Sequence, residues 1–164
     1  MTTEVFAAAT GLIQLCIDRK LTIATAESCT GGLVAGALTE VAGSSAVLDR
    51  GFVTYSNKAK QQMLGVPAET LRDYGAVSRP TAEAMARGAL AKSGVDLVVA
   101  ITGIAGPGGG SADKPVGLVH FAAARRDGSS VHAAMRYGDI GRALVREKSV
   151  LQALAMLREL AQAG

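Results

Sequence analysis

Tryptophan is absent from this 164-residue chain, and aromatic residues of every kind make up only 4% of it. Proteins that hold single-stranded nucleic acid use aromatic rings as stacking platforms, so that class begins without its usual equipment. Cationic residues are not gathered either. The net charge of +3 comes without a basic run of the kind that grips a phosphate backbone, and no nucleic-acid partner is expected. Cys16 and Cys29 are the only cysteines; a pair with no export signal is no disulfide framework and fits a reducing compartment. No apolar stretch approaches the ~20 residues of a membrane span, and the N-terminus lacks a basic-then-apolar leader. The expectation is a cytoplasmic protein without a membrane partner. His120 and His132 stand in no ligand motif, and no Cys/His cluster exists. Neither a metal nor a cofactor is expected.

What is abundant is small and aliphatic. Apolar residues reach 49%, so the core must be built from Ala, Val, Leu and Ile, which suits closely packed α/β layers. The length reads as one domain over residues 1–164. Helical spacing covers Glu4–Arg19, with Thr3 as the expected N-cap. Strands are expected at Leu21–Ala26, Val47–Tyr55 and Asp96–Ile101. The last is apolar throughout, as in a strand buried on both faces. Helices are expected at Ser56–Leu64, Ala68–Tyr74 and Pro80–Lys92, the last capped by Ser78 and stopped by Gly94. Val116–Arg125 and Ser129–Tyr137 form an antiparallel hairpin turning at Asp127-Gly128. Val145–Leu160 closes the chain as a helix.

Two glycine-rich segments follow strands. The first is Ala26–Gly32 (A-E-S-C-T-G-G), the second Thr102–Gly110 (T-G-I-A-G-P-G-G-G). Ligands of open α/β sheets sit beyond the carboxyl ends of the strands, so both segments belong at one rim and suit a small polar ligand. The first segment has two readings. In one, Ser28 or Thr30 merely caps the helix that Gly31 and Gly32 open. In the other, Ser28 is a nucleophile and free N–H groups at the helix start receive an oxyanion. A serine needs a base, and no Ser-His-Asp set is apparent. A lysine in Tyr55–Lys60 is the better choice, provided burial or a nearby cation lowers its pKa. Lys58 and Lys60 are two apart and face opposite ways on a helix. Cys29 is the rival nucleophile, since a helix N-terminus lowers a thiol pKa. The second segment has neither the Walker ending nor a G-x-G-x-x-G fingerprint. It looks like a phosphate or ribose cradle with Thr102 at its mouth.

Together, A-E-S-C-T-G-G, Gly51–Asn57 with Lys60, Gly75–Ser78, T-G-I-A-G-P-x-G-G and Lys114–Gly117 resemble the CinA C-terminal-domain family, from about Ala26 to Arg146. The resemblance implies an α/β fold, a three-layer α/β/α sandwich on a mixed, mostly parallel sheet with an antiparallel hairpin. It also implies a homo-oligomer and the family's characterised activity, nicotinamide-nucleotide amidase. That reaction deamidates nicotinamide mononucleotide to nicotinate mononucleotide and ammonia, in pyridine-nucleotide salvage. On that resemblance Ser28 is the nucleophile, Lys60 the base and Tyr55 an assistant, with Thr102 near the reacting group. Glu27, Thr30, Gly31, Gly32, Gly103 and Gly106 join Thr102 as substrate-holding candidates. Arg142 is the expected phosphate ligand, in a loop before the closing helix, and a second cation for lowering the Lys60 pKa. One departure is plain. The family's G-D-R before a V-R pair is here Gly138–Arg146 with the aspartate, Asp139, displaced from the arginine. The alternative reading is a non-catalytic nucleotide-binding module of competence or DNA-damage responses.

Overall fold

The computed structural model describes residues 1–163. Helix α1 (Thr3–Arg19) buries Val5, Ala9, Leu12, Ile13 and Cys16, the stripe expected from their spacing. Its cap is Thr2 rather than Thr3: Thr2 is extended, as a cap must be, and its Oγ1 accepts the Val5 N–H at 3.2 Å. At the other end Lys20 is left-handed and the Leu21 N–H returns to the Cys16 carbonyl. Leu21 therefore finishes the helix, and strand β1 (Ile23–Glu27) starts two residues later than its apolar run suggests.

The remaining elements are α2 (Leu33–Thr39), a 3-10 turn at Ser44–Ala46, β2 (Leu48–Val53), α3 (Asn57–Leu64), α4 (Ala68–Tyr74), α5 (Arg79–Ser93), β3 (Leu97–Gly103), β4 (Leu118–Arg125), β5 (Ser130–Arg136) and α6 (Arg142–Gln162). One five-stranded sheet runs in the order β2-β1-β3-β4-β5. β1 pairs in parallel with β2 and β3, while β4 is antiparallel to both β3 and β5. Four strands thus share a direction and β4 alone opposes them. The expected mixed sheet and hairpin are both present.

Strand alternation divides the core. Leu97, Val99 and Ile101 of β3, with Ile23, Val119 and Phe121, face α1, α2 and α6. On the opposite face Val98 and Ala100, with Ala24, Ala26 and Ala122, lie under α5. Alanines on that face let α5 sit close. Gly88 then lets α3 close on α5, because a Cβ there would stand 1.9 Å from the Leu64 carbonyl oxygen. That contact seats the C-terminal end of α3, and α3 carries Lys60.

β1 and β3 are parallel and in register, with Glu27 opposite Ile101. The two glycine-rich segments therefore leave the sheet side by side at one rim, as the strand–glycine pattern implies.

Candidate active site

At the end of β1 the chain turns sharply. The Ser28 N–H donates to the Ile101 carbonyl at 2.9 Å, and the Gly31 N–H donates to the Ser28 carbonyl at 3.0 Å. Gly32 adopts φ +103°, a conformation that glycine enters readily, and α2 begins at the next residue. The start of α2 is not an open anion site. The buried Glu27 carboxylate accepts the N–H groups of Gly32, Val34 and Ala35 and the hydroxyls of Thr25 and Thr30, at 2.7–3.2 Å. Glu27, expected to hold substrate, instead holds the turn, because a negative charge at a helix N-terminus is itself the favoured occupant. Thr30 is drawn into the same cluster. The donors of Gly32, Val34 and Ala35 are thereby closed to an oxyanion.

Lys60 arrives from the neighbouring strand. The Thr54 N–H donates to the Glu27 carbonyl at 2.8 Å, which carries the chain across the rim beyond β2. The expected strand to Tyr55 ends at Val53, since the Ser56 hydroxyl then caps α3 by accepting the Ala59 N–H. One turn into α3, Lys60 is 1% exposed, while Lys58 is exposed to solvent. Lys60 Nζ lies 3.0 Å from Ser28 Oγ, 3.0 Å from the Thr54 carbonyl and 3.4 Å from the Tyr55 carbonyl. Among the described residues it is in no ion pair. Burial lowers its pKa from the ordinary lysine value, and the nearby Cys29 opposes this slightly. Arg142 is not among the causes of the shift, contrary to expectation.

A neutral amine has two N–H donors and one lone pair. With the carbonyls of Thr54 and Tyr55 taking the donors, the lone pair is left for the Ser28 hydroxyl. In that form the Ser28 O–H donates to Lys60 Nζ, the arrangement a general base requires.

Ser28 and Lys60 border a cavity of about 270 Å³ together with Tyr55, Thr102, Gly103, Gly106 and Arg142. Seven of the eleven expected site residues thus meet in one place. Glu27, Thr30, Gly31 and Gly32 are not on its wall, because the turn directs them toward α2 and α6. Thr102 is buried and donates its hydroxyl to the Ala76 carbonyl at 2.9 Å. Tyr55 is 62% exposed, so its phenol is at the mouth and only its carbonyl reaches Lys60. Arg142 is the first residue of α6 rather than part of the loop before it. Asn57 also lines the cavity and was not singled out from sequence. The available signal was its i, i+3 spacing to Lys60, which puts both on one helix face.

Cys29 lines the same cavity, but burial pushes its thiol up to about 11, with the Glu27 charge adding to the effect. The Cys29 backbone N–H facing the thiol lowers it, as a helix N-terminus was expected to, but burial outweighs that pull. No group of three His, Cys, Asp or Glu side chains among the described residues is placed to hold a metal. No helix among them is long and apolar enough to cross a membrane.

Residues 6–161 match the family described as the CinA C-terminal domain. The chain belongs to that family. A CinA-like protein of Mycobacterium sp. (strain JLS) is 55% identical over 144 residues, covering 87% of this chain and 34% of that protein. The chain therefore spans about a third of the length of that curated relative, and of several others like it. The nicotinamide-nucleotide amidohydrolase PncC of Enterobacter agglomerans is 50% identical over 137 residues, 84% of each chain. Among solved structures, the competence/damage inducible protein CihA from Agrobacterium tumefaciens superposes with a TM-score of 0.98 at 58% identity, covering 99% of this chain and 98% of that one. The CinA fold and the sheet described above are the same architecture.

Proposed function

We propose that this CinA-domain protein is a nicotinamide-nucleotide amidohydrolase that works through a serine–lysine pair. The observation that carries the reading is the buried, uncompensated Lys60 amine 3.0 Å from the Ser28 hydroxyl. A surface lysine does not lose its solvent and gain a hydroxyl partner without reason, and perturbed groups in clefts mark sites of chemistry. The 50% identity to a PncC of comparable length supports a nicotinamide nucleotide as the substrate class.

In this reading Ser28 Oγ attacks the carboxamide carbon while its proton moves to Lys60 Nζ. The resulting ammonium gives that proton to the departing nitrogen, and ammonia leaves with the C–N bond. Water then attacks the Ser28 ester, again losing a proton to Lys60. The ester C–O bond breaks, Ser28 recovers its proton, and the carboxylate product departs. Arg142 at the mouth offers a guanidinium suited to a phosphate.

Ammonia release from nicotinamide mononucleotide by the purified protein is the test. Turnover that vanishes in Ser28→Ala supports the reading. A ligand that binds and is recovered unchanged from the wild-type protein points instead to a regulatory binding module.

A further inference from the structure

Arg146 of α6 touches neither Ser28 nor Lys60, yet it is fastened to the turn that carries the nucleophile. Its Nε donates to the Cys29 carbonyl at 3.1 Å and its Nη2 to the Thr30 carbonyl at 3.4 Å. Among the described residues it is in no ion pair, so the guanidinium is committed to these two backbone oxygens. In a trans peptide the N–H lies opposite the C=O. Holding the Cys29 oxygen toward α6 therefore turns the N–H of the Cys29–Thr30 peptide, that of Thr30, away from it, while the bond from the Gly31 N–H to the Ser28 carbonyl turns the Cys29 N–H away from Gly31. The N–H groups of Cys29 and Thr30 meet no acceptor on another residue among the described ones, and that of Cys29 faces only its own thiol. Every neighbouring donor of the turn is occupied: Ser28 by Ile101, Gly31 by Ser28, and Gly32, Val34 and Ala35 by Glu27 or its helix.

We infer that Arg146 is a positioning residue: it clamps the nucleophile turn so that the N–H of Cys29, which lines the cavity beside Ser28, forms the oxyanion site. The inference rests on the amidase reading for its catalytic consequence. The physical need is clear. Glu27 secures the α2 side of the turn between Ser28 and Gly32, and Arg146 holds the carbonyls of Cys29 and Thr30. Donors for a developing oxyanion act well only when fixed beforehand. A fork-shaped guanidinium can hold two successive carbonyls, whereas a lysine ammonium is a point donor on a flexible stem. Arg146 also borders an open groove of about 650 Å³ between α1, α2 and α6, lined in part by Leu33, Gly36 and Val150. A truncated side chain there leaves a space that solvent and small cations can enter.

The experiment compares wild type, Arg146→Ala and Arg146→Lys in two arms. In the first, kinetics with nicotinamide mononucleotide should show kcat reduced roughly a hundredfold in Arg146→Ala with KM changed by less than about twofold, the signature of a contact made to the transition state. Arg146→Lys should fall between, and millimolar guanidinium should restore part of the Arg146→Ala rate where urea does not. In the second arm, amide hydrogen exchange should be about tenfold faster at Ser28, Gly31 and Gly32, the hydrogen-bonded amides of the turn, in Arg146→Ala while the strands β1 and β3 keep their protection. Unchanged exchange at those three amides, or faster exchange with an unchanged kcat, overturns the inference. Should the wild-type protein release no ammonia from the nucleotide, the amidase reading fails, and the exchange arm still decides whether Arg146 clamps the turn.

Discussion

Arg142 Nη2 donates to the Tyr55 hydroxyl at 3.0 Å, joining two residues 87 apart in the chain across the mouth of the cavity. The same guanidinium donates through Nη1 to the Gly106 carbonyl at 2.9 Å. Both acceptors are neutral. The positive charge is therefore unmatched, and an anionic substrate group can exchange for either partner.

Arg142→Ala should accordingly raise KM for nicotinamide mononucleotide by at least about tenfold, as expected for loss of a charge-assisted pair. The riboside, which lacks the phosphate, should be affected far less. Equal effects on the two substrates would remove Arg142 from phosphate recognition. Tyr55→Phe, which deletes only the hydroxyl, should shift KM slightly and leave kcat near wild type.

Glu27 is the most heavily bonded side chain of the rim, with five donors on one buried carboxylate. Glu27→Gln keeps the shape but turns one acceptor oxygen into a donor facing other donors. We expect a loss of about 2–4 kcal/mol in unfolding free energy, read by chemical denaturation. Activity should fall with it, because the turn bearing Ser28 loses its inner support. A variant as stable as wild type would show that the cluster matters less than its geometry implies.

His120 Nδ1 and His132 Nε2 are 3.1 Å apart on neighbouring strands. Burial lowers both pKa values first; His132, Lys114 and Arg136 add to the shift at His120, and Arg79 adds to it at His132 against the opposing pull of Glu83. The unfolded chain then binds protons that the folded one refuses. Stability should hold above the unfolded value of about 6.5, decline as pH falls toward the lowered folded values, and level off below them. Melting temperatures measured across that window should drop more steeply for wild type than for His132→Gln. Parallel curves would mean the pair does not contribute.

The fold was readable because its signals are local. The apolar run of β3, the cap at Ser78 and the Asp127-Gly128 turn each specify their own element. The rim was legible from two strands ending in glycine-rich turns, and the burial of Lys60 against exposed Lys58 follows from helix geometry. Glu27 was misread because its role depends on where α2 points, which no residue spacing near it states. The start of α6 at Arg142 was hidden as well. Its first turn has exposed Leu144 and no capping side chain, so apolar periodicity begins only at Val145. Arg146 stood in the V-R pair of the resemblance, but its role was hidden for a third reason: its partners are backbone oxygens 116 and 117 residues away.

Cys29 offers a control within the turn. With its thiol held up to about 11 it is protonated at neutral pH, so Cys29→Ala should retain most of the amidase rate. Ser28→Ala should reduce kcat by a factor on the order of 10⁴ or more, since loss of a nucleophile leaves only binding and electrostatics. Because one rim hydroxyl adds little packing, its melting temperature should stay within a few degrees of wild type. The reverse ranking would transfer the nucleophile to Cys29.

The account stands on Lys60 acting as an unprotonated base toward Ser28, and ammonia release by Lys60→Arg tests that most directly. Arginine preserves length and charge but does not deprotonate in a protein. The rate of Lys60→Arg should therefore be as low as that of Lys60→Ala, at least about 10²–10⁴-fold below wild type, while Lys58→Ala stays near normal. Substantial turnover by Lys60→Arg would contradict the account, for it would show that the buried cation serves only as an electrostatic aid and that the Ser28 proton goes elsewhere.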